Sequence, residues 1–127
     1  MKQKTVLGLI CLSGFLAVAI GAFGAHGLTS PQAKAWVETG SGQHMAHTLV
    51  LFVCVWLQTQ GYPKARFAIP LFGLGMILFA GSLYALALGA PRAVAMAAPL
   101  GGLSLLAGWI CLAWACFSRK ETLHEPD

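Results

Sequence analysis

Three of the four histidines in this 127-residue chain have a spacing that could support chemistry. His26 lies in the run Gly21-Ala22-Phe23-Gly24-Ala25-His26-Gly27-Leu28, where some twenty apolar residues give way to polar sequence. His44 and His47 stand three apart, share a helix face, and open the next apolar run. A short connection between the two runs would bring His26 near them. Three imidazoles could hold zinc or copper, and one could ligate haem. Proton or small-solute handling is the remaining chemistry of such a cluster.

The surroundings favour a plainer reading. There is no CxxCH, no carboxylate within the apolar runs to orient a ligand, and no cysteine at the same end. The histidines are then hydrogen-bonding groups at a membrane edge. His26 would serve the orphan carbonyls that end the first helix. His44 and His47 would pair with Ser82, Tyr84, Gln43 or backbone. No cofactor is expected, and the metal set His26, His44 and His47 stays as the alternative. Ser13, Ser82 and Ser104 lie in apolar runs with no identifiable base, and no phosphate loop or paired carboxylate is present, so the chain reads as non-enzymatic.

The elements that must position these residues are membrane helices. Hydrophobic residues make up 57% of the chain and charged residues 9%, against about 25% charged in a soluble domain. A soluble fold could not cover its surface with so few charges. The net charge is +4, but the basic residues stand at the ends of apolar runs with no interleaved aromatics, which excludes nucleic acid as a partner. Cys11, Cys54, Cys111 and Cys116 fall in or beside apolar runs without a CxxC, as small hydrophobes rather than a disulfide framework.

The expected fold is all-α: one integral membrane four-helix bundle spanning residues 1–127, with spans at about 6–25, 42–60, 67–88 and 93–117. The first matches a hydrocarbon core of about 30 Å and is too long for a signal-peptide core. Ser30-Pro31 starts a short amphipathic helix in the first outer loop, carrying Trp36 at headgroup level and ended by Gly40. Residues 49–57 alone are fully apolar, so the second span must also take in His44, His47 and Thr48. Pro99, with Gly101 and Gly102, predicts a kink or a non-helical start in the fourth span. Lys2, Lys4, Lys64, Arg66, Arg119 and Lys120 fall on one side, Lys34 and Arg92 on the other, so both termini are placed in the cytoplasm of a multi-pass inner (plasma) membrane protein.

In lipid, close packing of small residues replaces apolar burial as the glue between helices. A seven-residue period predicts three such seams: Gly14 and Gly21; Gly75, Ser82 and Gly89; Gly101, Gly108 and Ala115. No Asp, Glu, Lys or Arg lies within a span, and no inverted repeat is visible, which argues against a pump or coupled transporter. The expected partners are the lipid bilayer and another membrane protein or a second copy.

Four motifs occur in the order of a known family: GAFGAHGL at 21–28, the histidine pair leading into Thr48-Leu49, Phe79-Ala80-Gly81-Ser82-Leu83-Tyr84, and Ala98-Pro99-Leu100-Gly101-Gly102 followed by Ala107-Gly108-Trp109. The chain resembles the bacterial inner-membrane family catalogued as domain of unknown function 423, which is similar to the eukaryotic transmembrane protein 256. The resemblance covers nearly the whole chain. It implies a four-helix integral membrane protein and brings no activity. Many bacterial relatives carry a Tyr-Gln pair ahead of the second-span histidine. Here His44 stands three residues before His47, a departure that weakens the case for a family-wide metal site.

Overall fold

The computed structural model describes residues 1–119. Four helices follow one another: α1 (Gln3–Gly27), α2 (Pro31–Thr59), α3 (Ala68–Ala87) and α4 (Ala97–Phe117). Short 3-10 segments, Pro63–Phe67 and Arg92–Met96, lead into α3 and α4. No strand occurs among the described residues. By length and composition α1, Pro63–Ala87 and Arg92–Phe117 are each able to cross a membrane. The more polar α2 lacks that apolar content.

The main correction concerns α2. Ser30 does cap a helix with Pro31 in its first turn, and the Ala33 N–H donates to Ser30 Oγ at 3.3 Å. That helix is not a separate amphipathic element, however. It runs unbroken through Gly40 to Thr59. Gly40 is buried, and a Cβ there would meet the Tyr84 ring at 2.9 Å. The glycine serves helix contact within α2 and does not end a helix. At 29 residues, or about 43 Å, α2 exceeds the hydrocarbon core.

Packing follows a heptad rhythm in all four helices. Buried or contacting positions are Ile10, Gly14, Ala17, Gly21 and Gly24 on α1, and Gly101, Leu105, Gly108, Leu112 and Ala115 on α4. Alternating steps of four and three are the pattern of left-handed packing. Helices α2, α3 and α4 enclose Phe72, which is fully buried and lies where a Cβ on Gly108 would fall, 2.7 Å away. Helix α1 packs against α2.

The small residues divide into two kinds. A Cβ on Gly75 would meet Leu105 at 2.5 Å, and one on Gly101 would enter the backbone at Phe79. Gly21 faces Ser41 at 3.2 Å and Gly14 faces Thr48 at 3.6 Å. Ser82 is buried and donates to the Phe79 carbonyl at 2.9 Å. Gly89 is different and corrects the expected seam. A Cβ there meets nothing within 4 Å, but its φ is +93°. It ends α3 with a Schellman cap: the Gly89 N–H bonds Leu86 O and the Ala90 N–H bonds Ala85 O. Gly61, with φ +86°, ends α2 identically through Gln58 O and Leu57 O.

Pro99 does not interrupt α4. It is the third residue of that helix, where no intrahelical N–H is required. The irregularity lies earlier, in the 3-10 segment ending at Met96. Pro70 occupies the third position of α3 after its own 3-10 segment. The two connections thus share one plan, Gly-x-Pro-basic-Ala, at opposite ends of α3.

Candidate functional site

The polar side chains inside the helices form two branches that together join all four. Both branches start on α2, whose continuous helix puts His44, His47 and Thr48 on its buried side.

The first branch centres on His44. Its Nε2 is 2.9 Å from Ser13 Oγ on α1, and its Nδ1 is 3.0 Å from the Tyr84 hydroxyl on α3. Ser13 Oγ is 2.8 Å from Thr48 Oγ1, and Thr48 Oγ1 donates to Met76 Sδ at 3.9 Å. Because Thr48 gives its proton to the sulfur, Ser13 donates to Thr48. Ser13 then accepts from the His44 Nε2–H, and Tyr84 donates to His44 Nδ1. All the hydrogen bonds run in one direction from Tyr84 to Met76.

The second branch centres on His47. The Trp109 indole N–H of α4 donates to His47 Nε2 at 3.2 Å. Indole nitrogen is a donor only, so Nε2 accepts and Nδ1 carries the proton. That N–H donates to the Gln43 carbonyl at 2.8 Å. Phe72 packs against both rings, 5.6 Å from His47 and 5.5 Å from Trp109. The groove reaching His47 is walled by Phe79, Leu105 and Leu106 and bears no charged group.

The three histidines do not form one cluster. His44 and His47 share a side of α2, but their four ring nitrogens address different partners on different helices. His26 is exposed in the last turn of α1. Among the described residues no three His, Cys, Asp or Glu side chains are placed to hold a metal ion. Tyr84 and the Gln43 backbone are the expected histidine partners that the structure supplies, whereas Ser82 turns to its own helix. Ser13, Thr48, Met76 and Trp109 were not anticipated as partners. Two features mark Ser13 and Trp109 as polar groups in need of a partner, a serine on the α1 seam next to Gly14 and an indole N–H within an apolar run, but neither feature says which partner.

The family described as "Protein of unknown function (DUF423)" matches residues 20–102. Those residues hold His26, His44, His47, Thr48 and Tyr84. The chain belongs to this family. It is 40% identical to a UPF0382 membrane protein of Haemophilus influenzae, over 95% of this chain and 99% of the relative. It is 37% identical to the UPF0382 inner membrane protein YgdD of Escherichia coli, over 98% and 100% of the two chains. The UPF0382 membrane protein YwdK of Bacillus subtilis is 37% identical, over 88% and 94%. These alignments extend beyond residues 20–102 toward both ends. No solved structure matches the chain. With its candidate spans, the protein is a multi-pass protein of the bacterial inner membrane, and nothing in the family points to an enzymatic activity.

Proposed function

We propose that this is a non-enzymatic membrane protein that acts by laying α1 against another membrane helix, in a partner protein or a second copy, with both termini in the cytoplasm. The observation that carries this reading is the one-sided packing of α1. Its buried residues are Ile10, Ala17 and Gly24, all facing α2, while Leu12, Phe15 and Val18 stand 60%, 69% and 61% exposed. The His44 branch ties α1 to α2 through Ser13, and neither histidine branch offers a reactive group. The basic residues Lys64 and Arg66 within Pro63–Phe67, with those near both ends of the sequence, support the orientation.

Photo-crosslinking residues placed at Phe15 and Val18 in living cells test the proposal. A discrete protein adduct is expected at both, and none at buried Ala17. Crosslinks to lipid alone, together with full rescue of a deletion strain by a Leu12, Phe15 and Val18 triple alanine variant, would refute it. A C-terminal alkaline phosphatase fusion should be inactive, and an active one would reverse the orientation.

A further inference from the structure

At the end of the molecule where α2, Pro63–Phe67 and the residues just after α4 meet, these segments carry Lys64, Arg66 and Arg119 as their charged side chains among the described residues. Glu38, the one acid among the described residues, lies near the opposite end of α2. Lys64 and Arg119 both line a cavity of about 180 Å³ with Gly61, Tyr62 and Ser118.

The cations here rest on aromatic faces. Lys64 Nζ lies 4.5 Å from the centroid of the Trp114 ring and donates to Ser118 Oγ at 3.1 Å. The Arg119 guanidinium lies 4.6 Å over Tyr62. It also lies along Gly61, where a Cβ would come within 3.4 Å of it. The Schellman cap at Gly61 and the Tyr62 carbonyl bond to the Ala65 N–H fix the turn that holds both cations in place. Stacking on a ring leaves the N–H groups of a cation available to an anion.

A phosphodiester suits this site, because a forked guanidinium and a point-charge ammonium can hold its two non-bridging oxygens, and the Ser118 hydroxyl is a further donor beside them. Trp114, beneath Lys64, and Phe67, 6.4 Å from the Trp114 ring, are exposed apolar surface beside these cations, so the phosphate's carrier has an apolar part. We infer that Lys64, Ser118 and Arg119 form a site for the phosphate of an anionic phospholipid. The inference goes beyond the proposed role of α1 and does not depend on it.

The test uses the purified full-length protein in neutral detergent, with native mass spectrometry against phosphatidylglycerol, phosphatidylcholine and inorganic phosphate. One phosphatidylglycerol per chain is expected, held in preference to phosphatidylcholine. The double substitution Lys64→Gln and Arg119→Gln should weaken it about thirtyfold, from roughly fivefold per cation at an anionic surface. Lys64→Arg with Arg119→Lys keeps the charges, so it should bind within a few-fold of the parent and show that the site tolerates substitution. Equal binding of the two lipids overturns the inference. So does an unchanged affinity in the glutamine double variant, or an equal loss in Lys34→Gln at the other end. Displacement by inorganic phosphate at concentrations matching the lipid would overturn the lipid as the source.

Discussion

Trp109 donates its indole N–H to Nε2 of His47 across 3.2 Å, and this bond sets the protonation of a buried histidine. Since the indole cannot accept, His47 is neutral with its proton on Nδ1, bonded to Gln43 O. The bond also joins α2 to α4 beside Phe72. Trp109→Phe should therefore destabilise the protein by about 1 kcal/mol, in the range measured for hydrogen bonds between membrane helices. His47→Phe should cost more, because it also crowds Phe72. Unfolding in mixed micelles with increasing SDS measures both. Equal stability of Trp109→Phe and the parent would contradict the assigned bond.

In the His44 branch, Ser13 and Tyr84 are coupled through the one ring that both bond. Ser13→Ala and Tyr84→Phe should each lower stability by about 0.6 kcal/mol. In the His44→Ala background both effects should shrink toward zero, apart from what Ser13 retains through Thr48. A double-mutant cycle reads this directly, and strict additivity would disconnect the chain of bonds.

Adjacent glycines in α4 give a sharp contrast. A Cβ on Gly101 enters the backbone at Phe79, whereas one on Gly102 finds its nearest neighbour, the Phe79 ring, at 4.0 Å. Gly101→Ala should cost about 2 kcal/mol or more, since backbone cannot move aside as a flexible side chain can. Gly102→Ala should be neutral or slightly stabilising, because it raises helix propensity. Thermal denaturation in detergent ranks them, and the reverse order would show that α3 and α4 pack in another register.

Gly89 has open space around it and a φ of +93°. Its substitution cost is conformational, not steric. Gly89→Ala should lose about 1 kcal/mol, and Gly89→Asn distinctly less, because asparagine tolerates left-handed backbone. If the two variants melt together, the Schellman cap is not what holds the end of α3.

The class of fold was legible because lipid imposes length and composition directly. Three long apolar runs and a shorter one at 49–57, with basic residues in the connections and at the ends of the chain, left few alternatives. The boundary of α2 was not legible, because Gly40 carries the same letter whether it ends a helix or admits Tyr84 to one. Gly89 was misplaced for a related reason: a seven-residue period links it to Gly75 and Ser82, but only the backbone dihedral separates a cap from a contact. The local partners of the histidines were partly visible, as Tyr84 and the Gln43 backbone. Ser13 and Trp109 were not, since their helices had first to be set side by side.

The polarity of α2 bears on how the chain enters the membrane. Lipid alone does not hold this helix, because its histidines and Thr48 find their acceptors and donors on Ser13, Tyr84, Met76 and Trp109. Of these only Ser13 has been synthesised when α2 emerges. Insertion of α2 is therefore expected to finish in stages, with α1 supplying the first partner during translation and α3 and α4 the others afterwards, so a chain truncated before α3 should be extracted from membranes more readily than the full chain.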